Sequence, residues 1–448
     1  MHSFSRLLTF FRKHWILMGG IIGIILLRFL LLVITPPGFY LDEAAGGAHV
    51  IALLQHGTNA HGEAWPLFSS SLGGGYTTPI YLYPLAAWVA IFGASEYALR
   101  AFSLFATILT AALIGYVLRK WFDNKTALIG VVIALTLPWG WVQGSVAWDP
   151  ALVPLFIAGA LASFSIAMKT AHSRRRIAAI TGVGIILILL AYLYPPCRVT
   201  APLLLVTFYS ILFWQKKLSM TYTLLAIPFF LVLCIPLLQF MLQPEALERS
   251  RQLSVLYNTS VGEAILRGIL NFSSMLSPQF LFITGDSNLR HATGIQGMLG
   301  PAALPPLIAL AVAAIRFLKK RSRYTQLLRN QEIFLVLILL LGIVFSLLGS
   351  ALTTEGQPHS LRATAAWPFY ALLIAIGWRQ LLTSSPNYIK YTSLTIAVIA
   401  TTYYIVDLAT LYPQRSASSF DVSTRQDIEA GTVNQNYPSL SIDYYKNK

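Results

Sequence analysis

Residues 15–50, WILMGGIIGIILLRFLLLVITPPGFYLDEAAGGAHV, set the frame for the whole chain. The run from Trp15 to Thr35 holds a single charge, Arg28, and matches the ~20 apolar residues needed to cross bilayer hydrocarbon as a helix. Arg6, Arg12 and Lys13 precede it. A cleavable leader has a shorter apolar core and a small-residue cleavage site. Here the run ends in Thr35-Pro36-Pro37, so it reads as an uncleaved first span. Directly beyond it, Gly38-Phe39-Tyr40-Leu41-Asp42-Glu43 sets two carboxylates at the membrane boundary.

The rest of the chain follows the same plan. Of 448 residues, 56% are hydrophobic and 11% charged, and the mean hydropathy is +0.64. A soluble domain carries about 25% charged residues, so a soluble enzyme, a disulfide scaffold and a disordered chain are excluded. Cys197 and Cys234, the two cysteines, make no Cys-rich zinc site. Apolar runs place further spans at roughly 99–118, 127–146, 150–168, 177–194, 199–215, 221–241, 299–318, 333–352, 364–381 and 391–411. The expectation is an all-α polytopic membrane protein of about 11 transmembrane helices.

Lys and Arg collect on the cytoplasmic side of membrane proteins. With the N-terminus cytoplasmic, the inner segments carry 20 basic and 2 acidic residues, against 10 and 14 outside. Arg119-Lys120, Arg174-Arg175-Arg176, Lys216-Lys217 and Lys319-Lys320-Arg321 all fall inside. The net charge of +15 is therefore a topology signal, and nucleic acid is excluded as a partner. The hydrophobic run 79–95 would reverse this pattern if it crossed, so it is placed as a helix in the outer interface, where Tyr81, Tyr83, Trp88 and Phe92 suit it. Residues 1–241 then form an N-terminal membrane module expected to carry catalysis, with a first outer loop at 36–98. An extracytoplasmic loop follows at 242–298, then C-terminal spans within 299–411. The polar tail, 412–448, is expected to be extracytoplasmic and partly disordered.

The chemistry-bearing residues lie on the outer side. Asp42 and Glu43 have no Lys or Arg near them in the first outer loop. A helix beginning at Asp42 would put His49 two turns on, on nearly the same face. Asp42 can serve as a base or simply cap that helix. Trp148-Asp149-Pro150 sets a second carboxylate at the outer end of the third span, where capping is again a sufficient account. Arg198 follows Tyr194-Pro195-Pro196-Cys197; Arg290 and His291 end the stretch from Gly285; His359 and Arg362 open the tenth span. Arginine suits phosphate through its planar fork of donors, and snorkelling to lipid headgroups is the plain alternative. Arg28 and Arg100, inside spans, are expected to be paired. Gly73-Gly74-Gly75 is a flexible turn, since no strand-to-helix context makes it a phosphate cradle.

The order of these features resembles the GT-C superfamily of membrane glycosyltransferases, family 39 type, which includes protein O-mannosyltransferases and lipid A aminoarabinose transferases. The elements are the Asp42-Glu43 pair, a small-residue helix, a Pro-led segment ending in Phe92-Gly93-Ala94-Ser95-Glu96, then Arg100, RKWFDNKTAL and Trp148-Asp149-Pro150. SPQFLFITGDSNLRH and PHSLRATAAWPFYALLIAIG add to it later in the chain. The resemblance implies a polyprenyl-phosphate sugar as donor and a lipid, glycan or protein acceptor at the extracytoplasmic face of a cell membrane. Asp42 would be the general base, with Glu43 beside it and Asp149 as a second acidic residue. His49, Arg198, Arg290, His291, His359 and Arg362 would be substrate-binding. No cofactor is implied, and a divalent metal is optional. The aminoarabinose transferases carry Glu-Lys before the Pro of the second loop helix, where this chain has Thr77 and Thr78. A surface-polysaccharide polymerase or ligase and a lipid or solute transporter are the alternatives.

Overall fold

The computed structural model describes residues 2–70, 75–319, 331–354 and 356–422. The Gly73-Gly74 pair, Lys320-Arg321 and the tail from residue 423 lie outside the described residues. The protein is a multi-pass bundle of helices, and nine of those described are long and apolar enough to cross a membrane. They are α1 (His2–Leu31, from His14 onward), α4 (Glu96–Trp121), the stretch Asp149–Lys169 containing α7 (Val153–Lys169), α8 (Ser173–Leu193), α9 (Cys197–Trp214), α10 (Met220–Met241), the stretch Pro301–Lys319 containing α13 (Leu304–Lys319), α14 (Gln331–Ala351) and α16 (Asn387–Thr410).

Two of the expected spans, 127–146 and 364–381, are not among these nine. The run 127–146 is broken: α5 (Asn124–Thr136) stops at Leu137, and a short α6 (Pro138–Gln143) follows. Pro138 supplies no N–H and pushes the preceding residue out of the α region, and Leu137 sits at φ −59°, ψ 131°. At 1.5 Å per residue α5 is about 20 Å long, short of the ~30 Å hydrocarbon. Arg28 caps the break, donating to the carbonyls of Leu135 (3.2 Å) and Gly140 while its guanidinium lies 4.6 Å over Trp141. Its expected partner is thus backbone and an aromatic face rather than a carboxylate. The second case is α15 (Trp367–Ser384), whose residues Trp367 to Trp378 are all buried. It is the central helix, packed by α13, α5 and α14.

The segment between α1 and α4, the expected first outer loop, packs against α4 and α8. It holds α2 (Leu41–His56), a two-stranded antiparallel hairpin (β1, Ser69–Ser70; β2, Tyr76–Thr77) and α3 (Pro79–Phe92). With 14 residues α3 is about 21 Å long, too short to cross. Its aromatics tie it down: Tyr83 Oη donates to Pro66 O at 2.8 Å and Trp88 Nε1 to Ala98 O at 2.9 Å. Between α10 and α13 lie α11 (Pro244–Gln252) and α12 (Val261–Met275), the latter longer than the amphipathic helix expected near 261–270.

The start of the expected tail is helical. α17 (Tyr412–Ala417) continues from α16, and Tyr412 and Phe420 are fully enclosed with Trp148, Tyr404 and Leu31. Asp407 pairs with Arg415 at 2.8 Å, and Arg415 also donates to Thr293 O. Polarity along the segment concealed two aromatic side chains that pack into the bundle.

Candidate active site

The start of α2 assigns different work to two adjacent carboxylates. Tyr40 is the N-cap, so Leu41, Asp42 and Glu43 occupy the first three helical positions. Glu43 does the capping, accepting the Tyr40 N–H at 3.0 Å. The fully buried Glu43 also accepts Arg100 Nε and Nη2 at 2.9 and 2.8 Å and the Ala147 N–H at 2.9 Å. Arg100 has its expected partner, and donates in addition to the carbonyls of Pro36 and Gly38. Glu43 is therefore saturated and does not face the cavity beside it. Asp42, one residue earlier, makes no hydrogen bond to any described residue, so capping does not account for it.

That cavity has a volume of about 360 Å³, within the range of small-molecule pockets. Asp42, Asp149, Arg290, His291, His359 and Arg362 all line it, with Tyr40, Trp148 and Tyr194. Residues from five separate stretches of the sequence thus converge on one pocket. Asp149 opens a 3₁₀ turn, Asp149–Leu152, and like Asp42 bonds to no other described residue. The Ala147 N–H bond to Glu43 fixes this turn against α2.

The basic wall is held by Asp286. Its Oδ2 accepts the Ser360 N–H at 2.8 Å and the Ser360 hydroxyl at 3.0 Å, and lies 3.2 Å from His291 Nδ1. Ser360 is gripped from α6 as well, by Trp139 Nε1 at 3.1 Å and Gln143 Nε2 at 3.2 Å. The break at Pro138 thus positions the loop carrying His359 and Arg362. The rings of His291 and His359 stack at 4.6 Å, and Arg290 lies 4.4 Å over the Tyr40 ring. From the far side, Tyr412 Oη donates to Leu289 O at 2.6 Å.

These surroundings shift the titrating groups. Burial raises the Asp42 carboxyl above its ordinary value; the Arg290 charge opposes this, and the Glu43 charge adds to it. Burial, with His291 and Arg362 nearby, holds His359 down at about 3, so it is neutral at pH 7. Burial pushes Asp286 up, but its hydrogen bond and charge interaction with His291 prevail, leaving it below the usual range.

Two expected substrate-binding residues lie elsewhere. His49 does share a face with Asp42, but two turns carry it about 10 Å along the axis. There it is buried, accepting the Ala60 N–H and bonding Ser70 O at 3.1 Å. Arg198 turns its guanidinium over Phe240, 5.9 Å from the ring. Asp286 was not among the expected site residues, although the Gly285-Asp286-Ser287-Asn288 turn leading to His291 carried the signal. Thr77 and Thr78 are buried at the hairpin and the N-cap of α3.

Asp286, His291 and His359 also offer one ligand atom each, all within 4.8 Å of one another. A carboxylate and two imidazoles, one held neutral, are a donor set that suits a divalent ion such as zinc.

The chain has the fold of the GT-C membrane glycosyltransferases. No known family profile matches its sequence. Among solved structures it is similar to the Archaeoglobus fulgidus oligosaccharyltransferase tethered to an acceptor peptide containing the NVT sequon, with TM-score 0.50 and 14% identity over 92% of this chain and 56% of that one. It is similar also to ArnT from Cupriavidus metallidurans bound to undecaprenyl phosphate, with TM-score 0.51 and 11% identity over 91% of this chain and 76% of that one. The A. fulgidus enzyme in complex with Zn and sulfate matches at TM-score 0.50 and 14% identity, over 89% and 53% of the two chains. The chain thus spans little more than half the length of the archaeal enzyme.

Proposed function

We propose that the protein transfers a sugar from a polyprenyl-phosphate donor to an acceptor on the extracytoplasmic face, with Asp42 as general base. One observation carries this reading: an uncommitted carboxylate, Asp42, shares one boundary pocket with Asp149 and with Arg290, Arg362, His291 and His359. The acceptor hydroxyl or amine gives its proton to Asp42 as it attacks the anomeric carbon. The lipid phosphate leaves from the opposite face, so the anomeric configuration inverts. Arg290 and Arg362, with His291, stabilise the charge developing on the phosphate. They supply the cation that the aminoarabinose transferases place where Thr77 and Thr78 stand. Asp149 binds the polar acceptor or sugar, while Glu43 positions Asp42 without touching substrate.

The ArnT structure holds undecaprenyl phosphate, which supports a lipid phosphate as ligand of this fold. A divalent ion, if bound, would be held by Asp286, His291 and His359 and would add Lewis-acid stabilisation of the phosphate. The test is transfer in membranes supplied with a panel of radiolabelled polyprenyl-phosphate sugars. Label should move to an acceptor from at least one donor; lipid flux without transfer would favour a transporter.

A further inference from the structure

A second cavity, of about 630 Å³, lies away from the pocket of Asp42 and shares no lining residue with it. It is a groove walled by α1, α5, α15 and α16, through Leu17, Ile133, Trp378 and Leu394 among others. α16 packs mainly on the Pro301–Ala303 turn and on α17. Its N-terminal half stands off, with Leu394 and Val398 each more than half exposed.

The two ends of the groove differ. One end is shut: Gln296 Nε2 donates to Ala400 O at 2.8 Å and Tyr404 Oη to Pro138 O at 3.2 Å. At the other end stand Lys125, on the first turn of α5, and Lys390, on the first turn of α16. This is the end remote from Asp42, where Arg379 at the foot of α15 meets Asp123 at 3.6 Å and Glu332 at 3.0 Å. The neighbouring acids are thereby engaged, and neither Lys125 nor Lys390 has an ion pair among the described residues. An apolar trough closed at one end and opening between two ammonium groups at the other suits an anionic headgroup with apolar chains.

We propose that this groove seats an anionic glycerophospholipid of the leaflet opposite the active site. Its phosphate meets Lys125 and Lys390, and its acyl chains lie between α16 and the wall of α5 and α15. The closed end keeps this lipid apart from the donor pocket. Since Pro138 and Gln296 line that end, the lipid braces the break before α6 and the loop carrying Arg290 and His291.

Native mass spectrometry of the full chain, exchanged into equal amounts of phosphatidylglycerol and phosphatidylcholine, tests this. Each lysine near a surface phosphate contributes about fivefold, so the pair should favour phosphatidylglycerol by roughly thirtyfold. Lys125→Gln with Lys390→Gln should bring the two lipids within about twofold. Ala397→Trp, which fills the trough from α16, should release the bound lipid whatever its headgroup. Equal retention of both lipids by the wild type would overturn the proposal. So would an unchanged preference in the double variant, or retention in Ala397→Trp.

Discussion

Arg100 grips both oxygens of Glu43 from 57 residues away in the chain, at 2.9 and 2.8 Å, and the pair is almost wholly enclosed. This clamp joins the start of α2 to the first turn of α4, and the Ala147 N–H extends it to the turn bearing Asp149. Glu43 therefore fixes where its neighbour Asp42 stands relative to Asp149. Removing one partner of a buried ion pair leaves an uncompensated charge and costs about 3–5 kcal/mol.

Glu43→Gln should therefore lower thermal stability and the yield of folded protein by an amount in that range. Thermal unfolding of the detergent-purified variant measures it. A variant as stable as the wild type would contradict the clamp.

Asp42→Asn should have the opposite effect on stability. Its carboxyl is raised in the folded protein, so the folded state holds the proton more tightly than the unfolded state. Stability from that proton is full below the ordinary carboxylate value and is lost as pH rises through the raised one. An asparagine has no charge to desolvate, so the variant should melt above the wild type at pH 7. Its advantage should vanish in acid. A lower melting temperature at pH 7 would contradict the assignment of burial as the dominant influence on Asp42.

The same shift sets the pH profile of transfer. The base works ionised, so activity should fall as pH drops through the Asp42 value, which burial raises above that of an ordinary aspartate. Arg290 is the influence that lowers it. Arg290→Gln should move the acid limb of kcat/KM further towards neutrality. A limb that moves to lower pH in this variant would separate Arg290 from Asp42.

Binding of undecaprenyl phosphate should discriminate among the arginines. A hydrogen bond to a charged group contributes about 1.5–3 kcal/mol, roughly 10- to 150-fold in affinity. Arg362→Gln should weaken binding within that range. Arg198→Gln should leave it within about twofold, since Arg198 faces Phe240 and not the cavity. Equal losses in both variants would mean that the phosphate sits nearer α9.

Much of this arrangement was legible because hydropathy and charge report directly on the bilayer. The first span and the shortness of α3 follow from apolar length and the placing of Lys and Arg. Averaging over a window hid the Leu137-Pro138 break, whose consequence is the grip of Trp139 and Gln143 on Ser360. The roles of Asp42 and Glu43 could not be divided from their order alone. The division depends on Arg100 and Ala147, which only the folded chain brings to Glu43. His49 shows the converse: helical phase put it on the face of Asp42, but the axial distance carried it to the loop around Ser70. Asp286 was overlooked because its partner, Ser360, lies 74 residues further along.

The central claim is that Asp42 removes the acceptor's proton. It is tested most directly by transfer from the labelled polyprenyl-phosphate sugar that the wild type uses, comparing wild type with Asp42→Asn at equal amounts of folded protein. A positioned base contributes typically 10²–10⁴-fold. The account predicts a loss of about that size with retained binding of undecaprenyl phosphate. Full transfer by a well-folded Asp42→Asn protein would contradict it.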